Sequence, residues 1–382
     1  MILTFNVIFA IGLILSYLAS FVSSGMFWLI SFFGISFPIL LAVNFLFFIY
    51  WCISAEKWFL ISMIAMLLGF THITELIQFN IFNQNKTPHT GIKIMTYNVR
   101  LFDFYKLNTD EHSDLKIFDL IKKEAPDFLC LQEFYSSEKM GELNSVDSIS
   151  NIFQATSPHH PSSLSSYKAD VSKISDSLFY FSYPLDQKGK RKRGIAIFSK
   201  YPIVGKGKLN LKSNKQNTAI YCDVKMGKDT IRIYNVHLQS IRFQKQDYHF
   251  MENINKQNVQ ETDEIEGSQK IFTKLKKAFI KRGMQADLLR NHIQKSPYKV
   301  IVCGDFNDTP SSYSYHTISK RLKDAFIESG SGFSQTYSGI FPSFRIDYIL
   351  FDPSFSGYGY KTIRQSFSDH YPVITFLKPR KP

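Results

Sequence analysis

Two kinds of hydrophobic patterning divide the chain. From Ile2 to Val22 and from Met26 to Trp51 the sequence is almost continuously apolar, interrupted only by Ser23-Ser24-Gly25, and a shorter apolar stretch runs from Trp58 to Ile73. A helix needs roughly 20 apolar residues to cross the hydrocarbon core of a bilayer. The spacing therefore predicts about three transmembrane helices over residues 1–74, with Lys57 and Trp58 at an interface. A cleaved secretory signal fits poorly, because no basic residue precedes Ile2 and two more apolar stretches follow. A polar stretch with Pro88, Gly91 and no periodicity reads as a linker over 75–91, ahead of a second domain over 92–382.

Beyond the linker the period shortens. Apolar runs bounded by turn residues predict strands at Ile92–Val99, Phe128–Gln132, Gly194–Phe198, Thr218–Val224, Thr230–His237, Lys299–Cys303, Arg345–Phe351 and Ile374–Phe376. Apolar residues recurring at three and four predict helices over Ser113–Lys123 and Gln269–Gln294, and another is expected at His316–Leu322. The irregular interleaving points to α/β architecture with mixed sheets. Two segments look inserted: Ser136–Ser177, Ser-rich and read as a long loop or lid, and Arg242–Glu266, a polar stretch extending the helix after it.

Charge sharpens the division. Up to position 75 the only charged residues are Glu56, Lys57 and Glu75, so that part carries −1 and the later part +14 of the net +13. With Lys57 cytoplasmic, three crossings place the large domain outside the cytoplasm, although Lys86 argues for the opposite side. The basic run from Lys188 to Arg193 suits solvent, anionic phosphates or lipid headgroups. Cys52, Cys130, Cys222 and Cys303 form no CxxC pair, and the last three sit in strand-like runs as buried free thiols.

Polar residues cluster where strands end. Asn98 closes IKIMTYN, Glu133 closes FLCLQE, and Asn235 and His237 close IRIYNVH. Asp305, Asn307 and Asp308 follow KVIVCG, Asp347 lies in RIDYIL, and Asp369-His370 precede the last strand. Each alone is an ordinary turn former or structural residue. Strand ends in α/β proteins gather at one edge, where ligands bind, so the set as a whole suggests a site.

MTYNVRLFD, LCLQEF, GIAIFSKYPI, YNVHLQS, VCGDFNDTPSS, RIDYIL and SDHYPV, in that order, resemble the endonuclease/exonuclease/phosphatase superfamily of DNase I-like nucleases, sphingomyelinase-type phosphodiesterases and inositol polyphosphate 5-phosphatases. The resemblance covers Ile92 to about Phe376. It implies a four-layer sandwich of two mixed, mostly antiparallel β-sheets flanked by helices, here preceded by a transmembrane helical segment. It further implies that Glu133, Asn98 and Asp369 bind Mg²⁺ or Mn²⁺, hard cations that take oxygen ligands. Asp305 would deprotonate the attacking water, and Asn307 would fix the phosphate or that base. His237 and His370 would donate to the phosphoryl oxygens or the leaving group, with Asp347 orienting His370. Asn235-Val-His237 is similar to the DNase I, sphingomyelinase and 5-phosphatase branches and unlike the abasic-site endonucleases. Asp308 is read as a turn residue, while Arg100 and Arg193 lie close enough to motif positions to touch substrate.

The activity implied is phosphoester hydrolysis. A membrane anchor favours a phospholipid or sphingolipid phosphodiesterase or phosphatase, with the lipid bilayer and an anionic phosphate-bearing substrate as partners and no protein partner evident. The basic domain equally suits a tethered nuclease. A binding domain that had lost its chemistry would have lost a ligand or a histidine, and every motif residue is in place.

Overall fold

The computed structural model describes residues 1–80, 91–105, 112–156, 178–184, 190–212, 217–255, 261–339 and 344–380. Most of the expected linker, the start of the basic run at Lys188 and parts of both inserted segments lie outside the described residues. The chain forms two compact units, one of residues 1–77, 239–290 and 307–320, the other of residues 78–238, 291–306 and 321–382.

The second unit is built on two six-stranded sheets. One has the order Lys323–Asp324, Asp347–Phe351, Lys299–Asp305, Asp229–His237, Thr218–Met226, Ile203–Leu209. The other has the order Phe355–Thr362, Val373–Pro379, Ile92–Asn98, Phe128–Ser137, Arg191–Ser199, Leu178–Pro184. Each sheet has one parallel pair, Asp229–His237 with Lys299–Asp305 and Ile92–Asn98 with Phe128–Ser137, and is otherwise antiparallel. The sheets are thus mixed, as expected. Both faces of the inner strands are covered, which is why they read as unbroken apolar runs.

Between the sheets lies a core of Ile94, Cys130, Ile197, Cys222, Ile233, Cys303 and Ile349, so the three strand cysteines are buried free thiols. Helix Ser113–Glu124 buries Ile117, Leu120 and Ile121 against Tyr97, Leu129 and Leu131 on the outer face of the second sheet. Its first turn carries Asp114 and its last Lys122 and Lys123, complementing the helix dipole. The segment read as a long loop contains helix Ser145–Thr156, which sends Ile149 and Phe153, four apart, into the same core. Serine dominance had masked that pair.

The first unit is helical, and here the expected spans are corrected. Ile2–Leu18 has 17 residues, and Met26–Trp51 breaks at Ser36 into Ile30–Ile35 and Phe37–Ile53. Trp58–Ile73 breaks at Gly69, leaving Phe59–Leu68 and Phe70–Leu76 bent by 71°. A Cβ on Gly69 would lie 2.0 Å from the Tyr17 ring, so glycine is needed at that bend. Among the described residues no single helix is long and apolar enough to cross a membrane; only the bent pair qualifies together. The expected helix at His316–Leu322 is found earlier, at Tyr313–Ser319, where the Ser312 hydroxyl accepts from Tyr315 N.

This unit buries polar side chains beside an apolar core of Leu13, Tyr17, Phe37 and Ala65, and exposes many large apolar ones. Asn6, Asn44 and Ser62 are fully buried, with Asn6 Nδ2 donating to Ser62 Oγ at 2.7 Å and Ser62 Oγ to Asn44 Oδ1 at 3.2 Å. Trp51 Nε1 donates to Asn6 Oδ1 at 3.0 Å. Outward lie Phe5, Ile8, Ile39, Phe45, Leu46 and Leu67, all more than half exposed. Asp308 also belongs here. Its carboxylate accepts from the buried Arg282 guanidinium at 3.1 Å, and its backbone neighbour Thr309 N donates to it at 3.2 Å. It is an interior ion-pair partner where the sequence suggested a turn residue.

Candidate active site

Three strands of the first sheet end side by side. Asp305 closes Lys299–Asp305, and its ladder partners are His237 on the parallel neighbour and Asp347 on the antiparallel one. Gly304 makes this approach feasible: it has φ +139° and any Cβ would sit 2.0 Å from Val236 O. Phe306 N then donates to Ile346 O at 2.8 Å and Leu238 N to Asp305 O at 3.0 Å, locking both sides of the aspartate. Asn307 follows with a left-handed φ of 53°, a conformation asparagine tolerates. It belongs to the helical unit, whereas the other seven expected site residues belong to the sandwich.

The second sheet contributes through strand ends as well. Asn98 ends its strand opposite Gln132, and the following register shift between Leu131 and Phe134 forms a bulge that frees Glu133 from the ladder at φ 49°. Asn98 Nδ2 donates to Asp305 Oδ2 at 3.1 Å, joining the two sheets. Ser368 Oγ donates to Asn98 O at 2.8 Å and accepts from His370 N at 3.3 Å, which fixes the Asp369-His370 turn to that strand end.

His370 Nδ1 lies 2.9 Å from Asp347 Oδ2, and its Nε2 is 3.8 Å from Asp305 Oδ2. His237 Nε2 is 3.7 Å from the same oxygen and 4.0 Å from Glu133 Oε1. Burial works against charge on His370, but the Asp347 and Asp305 carboxylates, the Asp347 hydrogen bond and Asp369 override it and push its pKa up to about 10. Burial and the nearby Asp369 carboxylate hold the Glu133 carboxyl above its ordinary range, against the pull of His370, Arg193 and Arg100. Arg100 donates to Asp103 Oδ1 at 2.9 Å and reaches within 4.0 Å of Asp369 Oδ1.

Chemically, this is an imidazole between two buried carboxylates that favour its charged form, with a second imidazole 3.7 Å from the same Asp305 oxygen. Asp305, Asp347 and His370 lie close enough to hold an ion, but His370 Nδ1 already faces Asp347 at hydrogen-bond distance, which suits an oriented proton donor better than a ligand. Glu133 feels the Asp369 carboxylate, while the Asn98 Oδ1 accepts from Arg100 N at 3.1 Å; these oxygen donors are of the type a hard divalent cation takes. Cavity size does not mark the place: a cavity of about 520 Å³ lined by Lys93, Ser331, Tyr360, Lys361, Arg364 and Phe376 includes none of these residues.

Several positioning residues were not foreseen. Thr336 Oγ1 accepts from Asp347 N at 3.0 Å and Thr336 O from Tyr371 N at 2.7 Å, so one buried threonine holds the chain on both sides of the His370–Asp347 pair. The Tyr337 ring packs edge-on to His370, centroids 5.2 Å apart. Asn235, read with His237 as one motif, spends its amide on structure: Nδ2 donates to Leu131 O at 2.9 Å and Ala196 O at 2.8 Å, and Oδ1 accepts from Gln132 Nε2 at 2.7 Å. No sequence signal distinguishes such a clamp from a site residue.

A family model described as the endonuclease/exonuclease/phosphatase family matches residues 95–255 and 274–370, and the chain belongs to that family. It is a hydrolase acting on phosphoester bonds, and enzymes of this family use divalent metals. A second family model, described as a domain of unknown function, matches residues 1–76. Among solved structures, an endonuclease/exonuclease/phosphatase from Beutenbergia cavernae is similar at 15% identity, covering 75% of this chain and 71% of its own, with a TM-score of 0.49. A mannosyl-6-phosphatase from Bacteroides thetaiotaomicron is similar at 15% identity over 75% and 99%, TM-score 0.45. The human Nocturnin catalytic domain with bound sulfate anion is similar at 18% identity over 76% and 94%, TM-score 0.45. No curated protein matches the chain.

Proposed function

We infer that the chain is a membrane-embedded phosphoesterase acting on a phosphodiester or phosphate monoester in a lipid headgroup. The observation that carries the hydrolytic part is Asp305 Oδ2 lying 3.7 and 3.8 Å from two imidazole nitrogens, one of them backed by Asp347. In this reading Asp305 accepts a proton from the attacking water as its oxygen bonds to phosphorus, and the P–O bond to the leaving group breaks. His370, cationic at neutral pH, donates to a non-bridging oxygen, and His237 protonates the leaving oxygen or supports the same charge. Asn98, Glu133 and Asp369 would hold Mg²⁺ or Mn²⁺. When bound, that ion polarises the phosphoryl oxygen and stabilises the leaving alkoxide.

The lipid reading is supported by the burial pattern of the helical unit. Buried Asn6, Asn44 and Ser62 and exposed Phe and Leu are the pattern of helices solvated by acyl chains, where polar side chains serve as adhesive between helices. In this reading the broken helices form a segment embedded in the bilayer. A second reading, a tethered nuclease, is favoured by the net charge of +13.

The test uses the full chain in detergent, with an aryl phosphodiester and Mg²⁺, Mn²⁺ or EDTA, beside Asp305→Asn. Activity that needs the metal and Asp305 is expected, and activity surviving EDTA and the substitution overturns the mechanism. Sphingomyelin, phosphoinositide and duplex DNA are then compared; turnover of DNA alone reverses the substrate reading in favour of the nuclease.

A further inference from the structure

Within the helical unit, two histidines and a glutamate converge away from every motif of the family. His72 and Glu75 stand three apart on Phe70–Leu76, hence on one face of that helix. His316 comes from Tyr313–Ser319. Glu75 Oε2 lies 3.3 Å from His72 Nδ1 and 3.1 Å from His316 Nε2, and one ligand atom from each of the three lies within 4.8 Å of the other two.

Ion pairing alone accounts poorly for this cluster. His72 is only 4% exposed, and among the described residues its Nδ1 makes no regular hydrogen bond, its one polar neighbour being the Glu75 carboxylate at 3.3 Å. A buried imidazole nitrogen without a regular hydrogen bond is costly. Its position is nevertheless tightly determined: the ring stacks on Tyr17 at 5.1 Å and 4°, with Phe37 edge-on at 6.2 Å, and the Tyr17 hydroxyl is anchored on Ala65 O at 2.9 Å. The His316 ring lies 5.3 Å from the His72 ring and 6.1 Å from Phe21.

We propose that His72, Glu75 and His316 form a binding site for a borderline transition-metal dication, Zn²⁺ foremost, that clasps the bent end of the N-terminal helices to helix Tyr313–Ser319. Two imidazoles and one carboxylate are a zinc donor set. At zinc bond lengths of about 2.0–2.1 Å, neighbouring ligand atoms in a tetrahedron lie roughly 3.3 Å apart, and the two measured edges are 3.3 and 3.1 Å. A cation there satisfies the His72 nitrogen, which makes no regular hydrogen bond. Nitrogen donors also separate this site from the all-oxygen set of Asn98, Glu133 and Asp369, because imidazole selects zinc and cobalt over magnesium.

The test uses the full chain in detergent, stripped of metal and then titrated with Co²⁺ under saturating Mg²⁺. A visible ligand-field band at one Co²⁺ per chain is expected, retained in Glu133→Gln and lost in His72→Gln and His316→Gln. Zinc should raise the melting temperature of the wild type and Glu133→Gln, and leave His316→Gln where it is in EDTA. X-ray absorption on zinc-loaded Glu133→Gln, whose three proposed ligands are intact, guards against misfolded variants; scattering from two imidazoles is expected. A spectrum without imidazole overturns the proposal, as do folded histidine variants that still take up Co²⁺, or a wild type whose only uptake disappears with Glu133.

Discussion

Both units bury asparagines, and the surroundings of those asparagines differ in opposite senses. In the sandwich, Asn235 lies inside an apolar core and closes hydrogen bonds on backbone carbonyls of the facing sheet. In the helical unit, Asn6 and Asn44 lie inside while Phe5, Ile8 and Phe45 lie outside. A burial pattern reports the solvent against which a segment folds: water for the first and, on the function proposed above, hydrocarbon for the second. The strand-end carboxylates and histidines follow neither rule. Asp305, Asp347, His237 and His370 are buried titratable groups gathered at one edge, with Glu133 and Asp369 half-buried beside them, as groups kept for chemistry are.

The largest expected effect breaks the comparison at that edge. Asp305→Asn should lower kcat by about 10³-fold or more, the scale of a lost general base together with its local electrostatics, while Asn44→Leu leaves kcat in detergent within about twofold. Comparable losses in both would mean that the two kinds of buried polar group are not functionally distinct. Asp347→Asn comes next. It removes the charge that orients and sustains the His370 imidazolium, so kcat should fall by about 10²–10⁴-fold with little change in KM.

A smaller effect separates the two units by pH. In EDTA, His370 has a folded pKa of about 10 against an ordinary value of 6.5. Because the folded value is the higher one, its stabilisation is complete below about pH 6.5 and is lost as pH rises through about 10. Denaturant midpoints of the metal-free chain should therefore fall across that window by a free energy on the order of a few kcal/mol, and His370→Gln should flatten the slope. A slope unchanged in His370→Gln would show that the imidazolium is not what titrates.

How far the sequence reached follows from the same physics. Strands covered on both faces, such as Lys299–Asp305 with its apolar KVIV, stood out as runs, and their polar last residues marked the edge. Edge strands did not: Ile203–Leu209 alternates in burial and carries Gly205 and Gly207, and Phe355–Thr362 carries Gly357 and Gly359. The apolar N-terminal stretches were legible as apolar but not as broken, because Ser36 and Gly69 are unremarkable residues whose effect depends on what packs against them. Of the site, identity and order were legible and distance was not. Nothing in the chain says that Asn98 reaches Asp305 across 207 positions, or that Thr336 holds the chain on both sides of the His370 pair.

The smallest effects test the comparison most directly, because one chemical change is made in both places. Asn235→Leu removes two donors from Leu131 O and Ala196 O and the acceptor of Gln132 Nε2, leaving buried polar groups whose unfolded alternative is water. A loss of about 2–4 kcal/mol is expected, read as a drop in the denaturation midpoint. Asn44→Leu removes a donor to Phe9 O at 3.0 Å and the acceptor of Ser62 Oγ. If the helical unit folds in hydrocarbon, its unfolded helices remain in the bilayer and find other partners, so the cost should be about 0.6 kcal/mol and below about 2. Matched unfolding in bilayers or mixed micelles measures both. Equal costs at the two sites would mean that the asparagines of both units are solvated by water on unfolding, and the exposed apolar side chains would then need an explanation other than lipid.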